Sequence, residues 1–416
     1  MASEWKECTL SELGEIVGGA TPSTKDESNY GGDIAWITPK DLSTLKGRFI
    51  AHGERNITEK GLNSCSTQMM PVNAVLFSSR APIGYVAIAK NPVCTNQGFK
   101  SIVANADNDP MFLYYLLKYN KDAIEAMGSG TTFKEVSGNT MRGIRVRVPA
   151  SKVEQQRIAS VLAALDSKIE NNDKINDNLR QQMQAIFNSF FYEFTTMSND
   201  LSSEIFDRIL PPGWKIMELG DANLDISDGN YSAKYPKQHE FLPSGIPFIR
   251  GTDFAGTTIS QDDLLYISLE KHRELKKGHT KKGDILITTR GDIGRIAFVP
   301  DSLVDVNINS QLVRINGAGV VPRSYLACFL VSKHVQMGFK YLTSGTALQQ
   351  LPIGKLKKVM FLIPDSKTLE RFDSIVEPQF QRMFANSEEN IRLSQIRDAL
   401  LPKLMSGEIN VSDIDI

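Results

Sequence analysis

Ala74-Val-Leu-Phe-Ser-Ser-Arg80-Ala-Pro-Ile-Gly84 is the segment from which the architecture of this chain follows, because it recurs as Asp284-Ile-Leu-Ile-Thr-Thr-Arg290-Gly-Asp-Ile-Gly294. In both places a short apolar run ends in two hydroxyl residues, an arginine and an Ile-Gly turn. An apolar run of this length, bounded by turn residues, predicts a buried β-strand. Two copies of it predict an internal duplication, which has to be recognised before other features are interpreted.

The duplication extends along most of the chain. Trp5-Lys6 recurs as Trp214-Lys215, Ser129-Gly130-Thr131 as Ser344-Gly345-Thr346, and Pro149 as Pro364, while Asn96-Gln97 has a looser echo in Asn309-Ser310-Gln311. The offset is 209 at Trp5 and 215 at Pro149, as expected when loops of the two copies differ slightly in length. We therefore predict two homologous β-rich domains related by a pseudo-twofold axis, each with one helical stretch that opens with proline, at 110–127 and 322–339.

Each copy ends in a long helical pattern. Ser151-Lys-Val-Glu154 is a capping-box signature, and apolar residues then recur at alternating spacings of four and three, which predicts a coiled-coil helix. The first seam comprises Ile158, Leu162, Leu165, Ile169, Asn172, Asn176, Leu179, Met183, Ile186 and Phe190. The second is less regular and comprises Phe372, Val376, Gln379, Met383, Asn386, Asn390, Leu393, Arg397, Leu400 and Leu404, with Ile375, Phe380, Phe384, Ile391 and Ile396 as alternative buried positions.

Both seams contain two asparagines at equivalent positions. If the helices pair antiparallel, Asn172 faces Asn390 and Asn176 faces Asn386. A buried amide in an apolar seam costs stability but fixes register, because a slipped pairing leaves it without a partner. The alternative is that these asparagines are solvated and incidental, since the surrounding segment is rich in Asn and Asp.

These patterns predict an α+β fold with two β-rich domains, each followed by a long helix, and the two helices pairing as an antiparallel coiled coil. The predicted boundaries are 1–150 for the first domain, 151–200 for the first helix and linker, 201–365 for the second domain and 366–416 for the second helix and tail.

Composition excludes several classes of protein. The chain has 416 residues, 41% hydrophobic and 23% charged, which is a globular composition rather than a disordered or collagen-like one. No apolar run reaches the ~18 residues of a membrane span, and the polar N-terminus does not resemble a secretory signal. The four scattered cysteines favour reduced thiols in a cytoplasmic protein. The net charge of −1 gives no indication of a nucleic-acid partner.

Signatures of catalysis are missing from the sequence. There is no phosphate-binding loop, no dinucleotide fingerprint and no Asn/Asp-Pro-Pro-aromatic tetrapeptide of the amino-methyltransferase type. The five histidines show no metal-ligand spacing, and His272 and His279 lie in a lysine-rich stretch that we expect to be exposed. We therefore expect no catalytic residue and no metal site.

Polar side chains on turns of the β-rich scaffold are of the types that contact duplex DNA, since Arg, Asn and Gln pair with base edges and Ser, Thr and Lys bind phosphates. The candidates are Lys40, Arg48, Ser79, Arg80, Asn96, Gln97, Lys100, Thr131, Thr132 and Lys134 in the first copy, and Lys234, Lys237, Arg250, Thr289, Arg290, Asn309, Gln311, Thr346 and Gln349 in the second.

Each candidate also has a structural interpretation. Any single Ser or Thr here can be a turn former, and Arg80 and Arg290 can instead stabilise each copy through backbone carbonyls. Residues shared by both copies fit phosphate contacts better than base readout if the copies read different sequences. Base-reading residues are then expected where the copies diverge, in 20–60 and 230–282.

Several segments, taken in order, resemble the specificity subunits of type I restriction–modification systems. Trp5–Gly14, Pro39–Leu42, Ser79–Gly84, Asn96–Gly98 and Gly130–Thr132 resemble a target-recognition domain of that family. Pro149–Phe190, which contains EQQRIA at 154–159, resembles its spacer helix, and LLPKLMSGEI at 400–409 resembles its C-terminal ending. The second copy departs at 369–371 (LER for EQQ) and at 309–311 (NSQ for NQG).

The resemblance implies a non-catalytic subunit that binds a bipartite, asymmetric site in double-stranded DNA, with the paired helices fixing the distance between its halves. It implies two methyltransferase subunits as partners, often also two restriction subunits, and no membrane association. S-adenosylmethionine, ATP and Mg²⁺ would be bound by those partners and not by this chain. The alternatives from the residues alone are a DNA-independent coiled-coil assembly scaffold and an enzyme with an unrecognised site.

Overall fold

The computed structural model describes residues 4–80, 82–130, 134–196, 210–231, 233–261, 263–343 and 349–411. The chain divides into two compact units: unit 1 comprises Met1–Asn171 with Glu389–Ile416, and unit 2 comprises Asn172–Glu388. Both unit boundaries fall inside long helices, so each unit contains a β-rich head and one part of each long helix. The predicted α+β class is confirmed.

The head of unit 1 is built from ten strands and six short helices among its described residues. The strands are β1 (Trp5–Thr9), β2 (Gly14–Gly18), β3 (Tyr30–Ile34), β4 (Trp36–Ile37), β5 (Phe49–Ile50), β6 (Val75–Phe77), β7 (Val86–Ala89), β8 (Cys94–Thr95), β9 (Lys100–Ala104) and β10 (Arg145–Pro149). The helices are α1 (Leu10–Leu13), α2 (Pro39–Ser43), α3 (Glu59–Asn63), α4 (Pro110–Tyr119), α5 (Lys121–Ala126) and α6 (Gly138–Gly143). The largest sheet has the order β2-β9-β6-β7-β5, and separate pairs form between β1 and β10 and between β4 and β8.

The long helix α7 spans Lys152–Thr196, and the head of unit 2 follows it. Its strands are β11 (Lys215–Glu218), β12 (Asp225–Asp228), β13 (Ile246–Ile249), β14 (Phe254–Ala255), β15 (Thr258–Ile259), β16 (Leu265–Ile267), β17 (Ile285–Thr288), β18 (Ile296–Phe298), β19 (Asn307–Ile308), β20 (Leu312–Asn316) and β21 (Met360–Ile363). Its helices are α8 (Leu269–Glu274), α9 (Arg323–Val331), α10 (Lys333–Leu342) and α11 (Ile353–Leu356), and the second long helix α12 spans Ser366–Ser406.

Corresponding strands pair in the same way in the two heads. The order β12-β20-β17-β18 in unit 2 matches β2-β9-β6-β7 in unit 1. The pair β13–β19 is parallel and places Phe248 beside Asn307, as the parallel pair β4–β8 places Trp36 beside Cys94. The duplication read from the sequence is therefore a duplication of topology.

The repeated apolar run is the central strand of each head. All residues of β6 are buried, and they alternate between two cores because successive side chains point to opposite faces of a sheet. Val75 and Phe77 pack with α4 and the start of α7, whereas Leu76 packs in a second core with Ala74 and Ala87. In β17, Ile285 and Ile287 face the helical core and Leu286 the second core. A strand that is apolar on both faces requires cover on both sides.

The two long helices run antiparallel within each unit. In unit 1, Lys168 pairs with Glu389 at 3.3 Å and Asp166 with Arg397 at 2.7 Å. In unit 2, the ring of Phe372 packs against those of Phe187 and Phe191 near one end, and Asn386 lies beside Asn176 near the other. In the described part of the chain, no helix combines the length and apolar character needed to cross a membrane.

The two helical stretches predicted within the heads need correction. The stretches 110–127 and 322–339 are each two short helices, because the chain turns at Asn120 and extends at Ser332.

Arg397 is accommodated in the second seam by its ion pair with the buried carboxylate of Asp166, to which the Tyr115 hydroxyl also donates at 2.6 Å.

Among the alternative seam positions, Phe380 is buried and Phe384 half-buried. Ile375 and Ile396 are exposed, so they do not share the burial.

Candidate nucleic-acid interface

The hydroxyl that ends each central strand closes the turn that follows it. Ser78 Oγ donates to the carbonyl of Pro82 at 2.8 Å and accepts from the Tyr85 amide at 2.8 Å. In unit 2, Thr288 Oγ1 donates to the carbonyl of Asp292 and accepts from the Arg295 amide. These hydroxyls are turn formers, which is the structural interpretation proposed for such residues.

Ser79 and Thr289, the next residues, are buried inside the heads, which corrects their assignment as DNA contacts. The Ser79 amide donates to Gly98 and its carbonyl accepts from Val136. Thr289 donates to the Gln311 carbonyl through both its amide and its hydroxyl. A side chain without solvent access cannot reach a phosphate, so both residues support the scaffold.

Asn96 and Asn309 also act within the scaffold. The Oδ1 of Asn96 accepts from the Gly98 amide at 2.9 Å, and that of Asn309 from the Gln311 amide at 3.1 Å, which are Asx-turn contacts. Asn309 is buried, which corrects its assignment as a base-reading residue. Asn96 is half-buried, and its side-chain oxygen Oδ1 is already bonded within the turn.

A glycine lies against each of these asparagines. A Cβ on Gly19 would stand 2.1 Å from the carbonyl oxygen of Asn96, and one on Gly229 would stand 2.1 Å from that of Asn309. Only glycine fits such an approach of two backbones without displacement. The same packing therefore recurs in both heads.

Arg80 and Arg290 are the exposed arginines at the ends of the central strands. Arg80 lies 4.0 Å from Glu135, and Lys100 lies 3.6 Å from the same carboxylate, so two cations share one anion. Arg290 donates to Gln350 Oε1 at 2.7 Å and lies 6.0 Å from the ring of Tyr231. Partial burial raises the pKa of the Tyr231 hydroxyl, so this ring adds no negative charge beside Arg290. Each site therefore presents a cation that its immediate partners do not fully neutralise.

Arg48 is not a DNA contact, and the structure corrects its assignment. Its side chain is 5% exposed, and its Nε donates to Glu170 Oε1 on α7 at 2.9 Å. Its other nitrogens donate to Ser167 and to the carbonyl of Ala163. Burial alone would lower the pKa of Arg48, but its hydrogen bond to Glu170, together with its electrostatic interactions with Tyr115 and Glu170, outweighs burial and raises that pKa above its usual range. Arg48 anchors the head to its helix.

Arg250 and Lys40 are also held by carboxylates. Arg250 donates to Asp253 Oδ1 at 2.7 Å and to the carbonyl of Asp263, so its charge is neutralised and its planar head is occupied. Lys40 pairs with Glu54 at 2.7 Å, but both side chains are exposed and solvent competes for this pair. A phosphate can displace Glu54 from Lys40 more easily than Asp253 from Arg250.

The remaining candidates are placed on the surface or lie outside the described residues. Gln97, Lys134, Lys234, Lys237, Gln311 and Gln349 are exposed. Lys234 pairs with Glu274 at 3.6 Å, and Gln97 accepts from the Thr21 hydroxyl. Thr131, Thr132 and Thr346 lie outside the described residues.

Residues that sequence reasoning did not single out lie in the divergent segments. Arg55 is exposed, and its guanidinium stacks 3.5 Å from the ring centroid of Tyr30. His272 and His279, expected to be exposed and separate, have ring centroids 4.3 Å apart, and His272 is buried. Divergence between the two copies can select a range such as 20–60. Sequence spacing does not show that Arg55 stacks on Tyr30, which lies 25 positions away.

Three of the four seam asparagines, Asn172, Asn176 and Asn386, are buried, which argues against the solvated interpretation for them. Asn386 Nδ2 donates to Asn176 Oδ1 at 2.9 Å, and Asn176 Nδ2 donates to Ser387 at 3.3 Å. Asn172 is buried in unit 2 and Asn390 is half-buried in unit 1. The Asn172–Asn390 pairing and the register role of the four asparagines stay predictions.

Comparisons with known proteins identify the family to which the chain belongs. Residues 2–181 match the family model described as the type I restriction modification DNA specificity domain. The MjaIX type I restriction enzyme specificity subunit of Methanocaldococcus jannaschii is 34% identical over 99% of this chain and 95% of its own length. The chain belongs to the type I restriction enzyme specificity subunits. The HindI specificity subunit of Haemophilus influenzae is 24% identical over 98% of this specificity subunit and all of its own length.

A solved structure has the same fold. The type I restriction–modification S subunit from M. genitalium superposes with a TM-score of 0.54 at 18% identity, over 97% of this specificity subunit and 96% of that chain. The comparison confirms the predicted fold class for the described elements.

Proposed function

We propose that this specificity subunit binds a bipartite, asymmetric site in double-stranded DNA, with each head reading one half, and that it performs no chemistry itself. The observation that carries the proposal is the duplicated head with an equivalent exposed arginine whose surroundings differ: Arg80 lies near Glu135, whereas Arg290 bonds Gln350. Two similar scaffolds with different polar surfaces suit two different DNA half-sites.

In this proposal Arg80 and Arg290 contact phosphates. Both follow the same strand and lie in the same turn, and a contact shared by both heads positions the duplex without carrying sequence information. A phosphate near Arg80 would compete with Glu135 for the two cations that now share it. The favourable free energy of this phosphate contact comes from release of counterions from the DNA.

Base readout is assigned to the divergent segments. In unit 1, Arg55 is held by stacking on Tyr30, which limits the freedom of the guanidinium before binding. In unit 2, the exposed Arg273 and Lys276 lie on and just after α8. An arginine that is already oriented loses less entropy when it pairs with guanine O6 and N7.

The partners in this proposal are two methyltransferase subunits, which bring S-adenosylmethionine, and two restriction subunits where the system has them, which use ATP and Mg²⁺. The helices provide docking surfaces, since Val153, Ile375 and Ile396 are 57%, 41% and 49% exposed. Apolar side chains left uncovered on a paired helix fit contact with another protein. The methyltransferase subunits would act on target adenines flipped out of the duplex.

Methylation mapping tests the DNA proposal. The subunit is expressed with its methyltransferase in cells that lack other methylation, and modified adenines are located by sequencing. We expect one split motif with a fixed gap, and exchange of residues 20–60 or 230–282 for those of a relative should change only one half. A continuous motif, or no new methylation by an assembled complex, would contradict the proposal.

Salt dependence separates this function from a DNA-independent scaffold. Binding of the assembled complex to its mapped site should weaken steeply between low and physiological salt, because bound phosphates replace counterions. A scaffold would assemble equally well with and without DNA at every salt concentration.

Assembly is tested with charged substitutions on the helices. Ile375→Asp and Ile396→Asp should reduce co-purification with the methyltransferase at least tenfold without changing the unfolding midpoint. Ser374→Asp, which changes an exposed polar neighbour, is the control. Unchanged assembly by both isoleucine variants would exclude these faces as the docking surface.

A further inference from the structure

Two histidines and an aspartate converge in unit 2. The imidazole nitrogens of His272 and His279 and a carboxylate oxygen of Asp305 all lie within 4.8 Å of one another. His279 Nδ1 is 3.0 Å from Asp305 Oδ1, and His272 Nε2 is 3.8 Å from the same oxygen. A tetrahedral zinc ion with bonds of ~2.0–2.1 Å holds its ligand atoms about 3.3 Å apart. These distances lie on either side of that value.

The outer nitrogens of both imidazoles are already bound to acceptors. His279 Nε2 lies 2.6 Å from the carbonyl oxygen of Leu275, which can only accept, so the proton is on Nε2. His272 Nδ1 lies 2.6 Å from Asn307 Oδ1, which likewise accepts. His272 Nε2 and His279 Nδ1 are then the ring nitrogens that face Asp305. Metal-binding histidines typically donate their second N–H to a carbonyl or carboxylate in this way.

The backbone holds the three residues in place. Asp305 has a φ of 56°, a left-handed conformation that is uncommon outside glycine, and its amide donates to the Thr280 carbonyl at 2.8 Å. The Thr280 amide donates in turn to Val306 at 2.9 Å. These bonds fix the loop that carries Asp305 next to His279, and strained residues of this kind cluster at functional sites.

The cluster is not a requirement of the fold. In unit 1 the equivalent parallel strand pair has Cys94 where unit 2 has Asn307. The unit 1 head forms the corresponding parallel pair with this different residue at that position. Three lysines of the same stretch do not oppose a cation strongly, because Lys271, Lys277 and Lys281 pair with Glu240, Asp228 and Asp225.

We propose that His272 Nε2, His279 Nδ1 and Asp305 Oδ1 form a binding site for a divalent transition metal, best suited to Zn²⁺, with water in the fourth position. Imidazole and carboxylate are ligands that zinc accepts, and the exposed Asp305 leaves the site open to solvent. The ion ties α8 and the segment after it to the loop before β19, within the part of the head that differs from unit 1. This proposal does not depend on DNA binding.

Zinc titration of the full-length subunit tests the site. After treatment with EDTA, binding of Zn²⁺ is measured by calorimetry, and Co²⁺ is added separately as a spectroscopic probe of coordination. We expect one Zn²⁺ per chain, a thermal midpoint that rises with Zn²⁺, and visible Co²⁺ bands typical of nitrogen and oxygen ligands. Asp305→Asn and His279→Gln should each weaken binding at least tenfold.

His239→Gln, a change at an exposed histidine of the same unit, is the control and should bind like the unsubstituted chain. Because Asp305 is exposed, Asp305→Asn keeps the test valid even if His279→Gln fails to fold. Zinc binding by Asp305→Asn equal to that of the unsubstituted chain, or no zinc binding by that chain, would overturn the proposal. In that case His279 and Asp305 form only a hydrogen-bonded pair.

Discussion

Arg48 and Lys40 lie eight positions apart in the same head but have different electrostatic surroundings. The guanidinium of Arg48 is enclosed against α7 with Glu170, whereas the ammonium of Lys40 meets Glu54 in solvent. An enclosed ion pair cannot lose one partner without leaving a charge poorly solvated, but an exposed pair is replaced by water. The positive charge alone therefore does not determine the roles of Arg48 and Lys40, and burial does.

Replacing Arg48 with alanine should destabilise the subunit. We expect Arg48→Ala to lower the free energy of unfolding by about 2–4 kcal/mol, because Glu170 loses its partner while it is only partly exposed. Urea unfolding followed by circular dichroism measures the loss. Lys40→Ala is the matched control and should leave the midpoint within error. Equal effects of the two substitutions would show that the Arg48 pair is not structural.

The cysteines differ in burial, and this predicts their reactivity. Burial raises the pKa of Cys94 to about 11 and also raises the pKa values of Cys8 and Cys328, while Cys65 is half-buried. A thiol with a raised pKa has a smaller thiolate fraction at a given pH. At pH 8 the thiolate fraction of Cys94 is about 100-fold lower than that of a thiol with a pKa of 9.

At pH 8 we expect one thiol per native chain to react rapidly with Ellman's reagent, and four in denaturant. Cys65→Ser should remove the rapid phase, and reaction of the buried thiols should accelerate as the pH rises towards 11. A second rapid thiol in the folded Cys65→Ser variant would contradict the burial of the other three.

At the scale of elements, each long helix alternates between structural tasks along its length. Ile158 and Leu162 of α7 complete the core of unit 1, and Met183 and Phe187 complete that of unit 2. Between them the seam becomes polar, with Asn176 bonded to Asn386. A continuous apolar seam would allow several registers, whereas a buried amide pair is satisfied in one.

Breaking this pair singly should cost more than replacing both residues. Asn386→Leu leaves Asn176 Oδ1 buried beside an apolar side chain, so we expect a loss of about 1–3 kcal/mol. Asn176→Leu with Asn386→Leu should recover most of that loss, because two leucines fill an apolar seam. A double-mutant cycle in urea gives the coupling energy. Additive single effects would show that the two amides do not interact.

At the scale of the molecule, the two heads repeat one topology while their surfaces differ. The turn after the central strand, the buried hydroxyls and the glycine against asparagine are common to both units. The two units differ in the partners of Arg80 and Arg290 and in the histidine cluster of unit 2. Duplication preserved what each core requires and left the exposed segments free to change, which fits two different half-sites.

If each head binds one half-site, Arg80→Ala and Arg290→Ala should weaken DNA binding of the assembled complex to similar extents for all sequences. Each should reduce the slope of log K against log salt by about one, as loss of one phosphate contact does. Fluorescence anisotropy across a salt series measures this. Lys282→Ala, which removes an exposed lysine paired with Asp301, is the control. A change in sequence preference instead would reassign these arginines to base readout.

Periodicity and repetition in the sequence were enough to establish the duplication, the central strands and the long antiparallel helices, because these depend on which faces are apolar, and that is a local property. The roles of individual polar residues were not accessible in this way. Arg48 meets Glu170 from 122 positions away, and His272 and His279 meet Asp305 across a loop. Such contacts depend on how strands are paired and on which side chains lose their water, and both are set only when the chain is folded.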